Sequence, residues 1–196
     1  MLLNPNADFA LARELRADAG VPLGEAFAFM SGLYFRGKLA YARAFARSRD
    51  GSGVHVITPG LGLVSPDQRV RREDLMAMAE ISVALEELRY REPLERDAAR
   101  LGGSLEGEDA AILLGSIATD KYVGVLEDRL GPRLRFPSAF VGRGDMSRGG
   151  LMLRCVSEGR ELDYAPIAGA TRNGPRPPRL EPLPRASRVA QGDRAR

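Results

Sequence analysis

The stretch AAILLGSIATDKYVGVLEDRLGP, residues 110–132, is the one on which the fold expectation turns. Ala110 to Leu114 is a short unbroken apolar run, the pattern of a strand buried on both faces. Gly115 and Ser116 end it. From Ala118 to Leu130 the apolar residues Tyr122, Val123, Leu126 and Leu130 share one helical face, and Gly131-Pro132 stops the helix. Strand, glycine turn and helix in that order make half of a βαβ unit.

Reading outward, Leu134 to Phe136 is the next strand, Leu151 to Val156 another, and Glu161 to Ile167 its hairpin partner across a turn at Ser157 to Arg160. Toward the N-terminus, Pro93 occupies a first-turn position of a helix that runs through Leu94, Ala98 and Leu101 to Gly102-Gly103. Arg71 to Glu87 forms a helix broken near Ile81. Val54 to Thr58 is a buried strand bounded by Pro59. Glu25 to Arg47 is a long, mostly buried helix. Its Gly32 and Gly37 each cost about 1 kcal/mol relative to alanine, which calls for close approach of another backbone or for a kink. Pro5 to Ala19 is an amphipathic surface helix with Asp8 as cap and Gly20 as stop. Alternating helices and strands predict a three-layer α/β fold with a mostly parallel sheet and an antiparallel edge.

The 196 residues divide into a single α/β domain over residues 1–170 and a tail over residues 171–196. The tail holds seven arginines against Glu181 and Asp193, so it carries +5 while the body is left at −2 of the overall +3. Five prolines sit among those arginines, a composition that cannot repay its own ordering entropy, and the tail is expected to be disordered. A slightly acidic body is not the footprint of a face that tracks phosphates. The single cysteine, Cys155, fits a reducing compartment. No apolar run approaches the roughly eighteen residues of a membrane span, and Met1 to Phe9 does not read as a signal peptide, so the expected location is cytoplasmic, without a membrane partner.

Three loops are candidates for chemistry. Thr58 to Asp67 follows a strand and carries Gly60 and Gly62, which let a ligand approach the backbone, with Thr58 as a ligand contact and Asp67 as an acid/base. The plain alternative is a sharp turn that needs positive φ. Leu114 to Tyr122 places Gly115, Ser116 and Lys121 at a helix N-terminus, where free N–H groups favour an anion. Ser116 or Thr119 as an ordinary cap is the alternative. Phe140 to Gly150 is dense in glycine and offers Arg143 and Arg148 as ligand-binding forks and Asp145 as a second acid/base. These charges pairing with one another is the alternative. His55 and Cys155 lie inside strand patterns and read as core residues, and one histidine and one cysteine do not make a zinc ligand set, which leaves magnesium on carboxylates as the open alternative.

The block Val54-His55-Val56-Ile57-Thr58-Pro59 running into Gly62-Leu63-Val64-Ser65-Pro66 resembles a segment of the uracil-DNA-glycosylase-like α/β domain of archaeosine synthase and tRNA-guanine-transglycosylase-associated proteins. Phe35-Arg36-Gly37-Lys38 and the Leu113 to Tyr122 unit occur in a compatible order. The resemblance implies a nucleobase pocket on an α/β fold. It does not carry the amino-acid transfer reaction, because no cysteine or histidine precedes Val54.

Together these features lead to the expectation of a cytosolic protein binding or modifying a nucleobase or nucleotide in a cleft at the C-terminal ends of the strands. The competing expectation is a noncatalytic interaction module whose basic tail binds an acidic protein or RNA. The sequence names no cofactor and does not decide whether the protein is an enzyme.

Overall fold

The computed structural model describes residues 1–48, 51 and 53–180. The short helix α1 (Ala10–Arg16) leads through Gly20 and strand β1 (Val21–Pro22) into the long helix α2 (Leu23–Phe45). Strands β2 (Val56–Thr58) and β3 (Gly62–Val64) form a hairpin, and β4 (Arg69–Val70) returns to pair antiparallel with β1. Helices α3 (Arg72–Ala79) and α4 (Leu88–Ser104) follow. Then come β5 (Ala111–Ile112), α5 (Asp120–Leu130), β6 (Leu134–Pro137), α6 (Asp145–Glu158) and β7 (Tyr164–Pro166). Parallel pairing of β5 with β6 across α5 completes the expected βαβ unit, and β7 adds an antiparallel neighbour to β6.

The three-layer α/β expectation fails on the rest of the chain. About 49% of the structure is helical, the longest strand has four residues, and the strands fall into two pairs and one triplet. No extended parallel sheet forms among the described residues. The largest local correction is α6. Leu151 to Val156, expected as a strand, lies inside this helix, and the expected glycine loop at 140–150 supplies the helix's first turns. Arg148, Leu151, Met152 and Cys155 are buried along with Gly149, a helical spacing that Gly149 and Gly150 obscure in the sequence. With that strand gone, β7 pairs with β6 and not with residues 151–156. His55, expected inside a strand, is exposed one residue before β2.

The two glycines of α2 serve different purposes. Gly32 has φ +65° and ψ −145°, breaking the helix, and a methyl group there would touch nothing. Gly37 is a contact residue. A Cβ built on it would lie 2.7 Å from the Gly149 carbonyl oxygen, and a Cβ on Gly149 would lie 2.9 Å from the Leu33 oxygen and the Tyr34 Cα. Helices α2 and α6 therefore cross backbone to backbone, at a distance no larger residue permits. Just before the kink, Phe29 and Met30 are solvent-exposed, so α2 is less buried than its composition suggests, and Phe29 stacks on Phe9 at 5.1 Å.

Three apolar clusters fill the interior. The first joins α1, β1, the start of α2, β4 and α3 around Leu15, Val21, Leu23 and Leu75. The second gathers Tyr90, Leu94 and Ala98 of α4 against Val123 and Leu126 of α5 and Phe136 of β6. The third lies at the glycine crossing, where Tyr41, Phe140, Met152 and Cys155 are fully or almost fully buried. Residues 171–180 carry no helix or strand, and the remainder of the tail, 181–196, lies outside the described residues.

Replacing Gly37 by alanine is expected to cost about 1–3 kcal/mol through overpacking, against less than about 1 kcal/mol gained in helix propensity. The melting temperature should fall by a few degrees. In Gly103→Ala an added methyl meets nothing within 4 Å, and the same thermal melt should stay level or rise.

Candidate functional site

The parallel pair β5 and β6 sends the chain out of the same sheet edge twice, into residues 113–119 and into residues 138–144. Tyr34 of α2 ties the two exits together. Its hydroxyl donates to the Leu114 carbonyl at 3.0 Å, and the Arg148 guanidinium acts electrostatically on the same hydroxyl. Burial raises the Tyr34 pKa, and the Arg148 guanidinium opposes that rise. Arg148 is itself buried. Its Nε and Nη2 donate to the Phe140 carbonyl at 3.3 and 3.2 Å, its guanidinium lies over the Phe140 ring, and Asp145 is 3.6 Å from Nη1. This arginine fixes the loop that enters α6.

One face of α6 points away from α2 and carries Ser147, Gly150 and Arg154, with Arg143 just before the helix. Residues 171–180 run across that face as a strap. Arg172 anchors the strap to α5 by pairing with Asp120 and, at 3.3 Å, with Glu127. Gly142, at φ +72°, seats it: a Cβ there would fall 2.1 Å from the Pro175 carbonyl oxygen. The strap and α6 enclose a groove of about 470 Å³.

Four arginines line this groove, Arg143 and Arg154 from the body and Arg176 and Arg179 from the strap, and no carboxylate of the described residues does. Arg143 donates to the Ala139 carbonyl and to Ser147 Oγ, both uncharged. Arg154, Arg176 and Arg179 engage no carboxylate among the described residues. The apolar part of the lining comes from Met146, Pro177, Pro178 and Leu180. A hollow of about 580 Å³ beside α4 is larger, but its charges are already neutralised. There Arg89 pairs with Glu87 and Arg96 with Asp97, each at 2.8 Å. Of these two hollows, the groove is the one that combines concave shape with arginines that meet no carboxylate among the described residues.

The candidate residues separate accordingly. Arg143 lines the groove, and Asp145 and Arg148 stand in the first turn of α6. Gly115 and Ser116 occupy the exit from β5, where Ser116 Oγ accepts the Ala118 N–H at 3.4 Å. Lys121 opens α5 with its Nζ over the Tyr122 ring. The Thr58 to Asp67 loop does not join them. Buried Thr58 donates to the Gly62 carbonyl at 3.1 Å and closes the β2–β3 turn. Gly60 and Gly62 have φ of +83° and +78°, as a sharp turn requires. Asp67 is exposed and paired with Arg43. A Cβ on Gly62 would lie 2.3 Å from Asp97 Oδ2, so this hairpin sits directly on α4.

Arg154, Arg176, Arg179 and Tyr34 were not singled out from the sequence. Arg143, Ser147, Gly150 and Arg154 follow a helical spacing that becomes visible once α6 is taken as a helix. No group of three or more His, Cys, Asp or Glu among the described residues is placed to hold a metal ion. No helix among them is long and apolar enough to cross a membrane. No family model, curated protein or solved structure matches this chain.

Asp97 holds the hairpin in place. Its carboxylate accepts from Arg96 and from the Leu63 N–H at 3.1 Å, and Arg96 beside it keeps its pKa below the ordinary carboxylate value, with Leu63 and Arg100 acting in the same direction against burial. A depressed folded pKa contributes stability that is complete above the unfolded value of about 4 and fades as the pH falls through the folded one. Asp97→Ala should cost about 1–3 kcal/mol at pH 7, because the Leu63 N–H loses its acceptor. The gap to the unaltered protein should narrow between pH 5 and pH 2 in denaturant titrations. A gap that stays constant across that range contradicts the assignment.

Proposed function

We propose that the protein binds a phosphorylated ligand of nucleotide size in the groove between α6 and the strap. The observation that carries this reading is the set of four groove arginines with no carboxylate among the lining residues. A guanidinium presents a planar fork that matches phosphate oxygens, and an arginine left without a counter-ion beside others favours an anion. The groove volume of about 470 Å³ falls within the roughly 300–1,000 Å³ usual for small-ligand sites. Met146, Pro177, Pro178 and Leu180 offer the apolar surface against which a base would lie.

The reading is of binding, without catalysis. Asp67 lies elsewhere, paired with Arg43, and Asp145 is not part of the groove lining. The tail enters as a wall of the site, since Arg176 and Arg179 belong to it, and this joins the nucleotide expectation to the one that gave the tail an acidic partner or RNA. A cytoplasmic location goes with the proposal, supported by the free and fully buried thiol of Cys155.

Calorimetric titration with a nucleoside, its monophosphate and its triphosphate tests the reading. Affinity should rise with phosphate count and weaken with added salt. Arg154→Ala and Arg176→Ala should each weaken triphosphate binding about tenfold or more, equivalent to about 1.4 kcal/mol or above. Equal binding of nucleoside and nucleotide, or none of either, overturns it. Binding of short single-stranded RNA or an acidic peptide without free nucleotides would hand the groove to the interaction-module reading.

A further inference from the structure

The body wall of the arginine groove offers hydrogen-bond donors far more than acceptors. Its helical part belongs to α6, whose backbone carbonyls are taken up by N–H groups four residues on, as the Gly144 carbonyl is by the Arg148 N–H at 3.0 Å. Its arginines carry donors and no acceptor. Arg143 is fixed by its bonds to the Ala139 carbonyl at 3.0 Å and to Ser147 Oγ at 3.2 Å. Ser147 thus already accepts one bond, which leaves its O–H to donate. Arg154 is half-buried, and its guanidinium meets no partner among the described residues. It stands one helical turn after Gly150, where the missing side chain leaves the surface of α6 bare. A Cβ on Gly150 would lie 3.7 Å from Leu180 Cδ1 of the strap. An apolar contact surface and an unengaged fork of donors therefore adjoin.

We infer that the groove selects a nucleotide whose base carries a keto group, as hypoxanthine, guanine and uracil do, over one with an exocyclic amine in its place, as in adenine and cytosine. The inference rests on the nucleotide reading of the groove and names the ligand class within it. A base lying against Leu180 presents its edge to Arg154. A keto oxygen there accepts from the guanidinium. An amino group instead turns N–H toward N–H and leaves both donors unpaired in a part-buried site. Discrimination follows from the unpaired groups and not from size, since a keto oxygen and an amino nitrogen fill nearly the same space. The phosphates fall to Arg143, Arg176 and Arg179, whose charge is indifferent to the base.

Two matched pairs of nucleotides isolate this group. Inosine and adenosine triphosphates differ by keto against amine at one ring carbon and by the proton on the nitrogen beside it, and uridine and cytidine triphosphates differ in the same way. Titrated calorimetrically into the full-length protein at one salt concentration, the keto member of each pair should bind about tenfold tighter than the amino member. Arg154→Gln supplies an amide that can donate or accept, and should bring both ratios within about twofold of equality. Arg176→Gln should weaken all four triphosphates and keep the ratios. Equal affinities within each pair, or a preference for the amino member, overturn the inference and leave the groove a phosphate site. If none of the four binds, the nucleotide reading fails together with it. Ratios that survive Arg154→Gln put the discrimination outside Arg154 and likewise overturn the inference.

Discussion

The contact between Gly37 and Gly149 is the constraint on which the half of the molecule bearing the arginine groove depends. Each glycine weakens its own helix by about 1 kcal/mol relative to alanine. In exchange two backbones meet where any Cβ would collide. That closeness lets Tyr34, three residues before Gly37, reach the Leu114 carbonyl on one side and Arg148 on the other. It also leaves the face of α6 bearing Ser147, Gly150 and Arg154 turned away from α2 toward the strap. A wider crossing would loosen the Tyr34 bridge, and with it the loop that Arg148 holds through Phe140.

A second glycine contact seats the strap. The Arg172 pairs with Asp120 and Glu127 are partly exposed, and pairs of that kind are worth about 0–1 kcal/mol each. They cannot fix ten residues by themselves. Gly142 lets the Pro175 carbonyl lie against the chain, and Gly174 packs on Val141. Shape therefore supplies the position and Arg172 the direction. Half of the groove arginines come from the strap, so an anion bound between them would link the two walls and couple its affinity to strap order.

What the sequence made legible follows from how local each signal was. The unit β5–α5–β6 was read correctly because an apolar run, a glycine turn and a helical period lie within some twenty-five residues. The break near Ile81 and the two options for Gly32 and Gly37 were also local, and the structure uses both options, a kink at one glycine and a crossing at the other. Helix α6 was not legible. Its Gly149 serves a partner helix more than a hundred residues away and Gly150 faces the strap, so the pair reads as loop until those partners are known. The same remoteness hid the site. Gly60 and Gly62 resembled a ligand loop but answer to Asp97 and Pro93 of α4. Arg176 and Arg179 lay in a segment whose composition argues against folding.

Net charge was a poor guide for a related reason. At physiological ionic strength, exposed charges are screened beyond about 8 Å, so a ligand in the groove responds to the charges around it and not to the sum over the chain. Several carboxylates of the body face arginines in pairs, as Asp67 faces Arg43 and Asp97 faces Arg96. Pairing removes those arginines from any role in recognition. What remains is set by which cations the fold leaves unmatched. Arg154, Arg176 and Arg179 remain because helix and strap bring them together at a surface that no carboxylate of the described residues lines. An acidic body and a cationic groove are thus compatible, and the positive site arises from segregation of charge and not from excess.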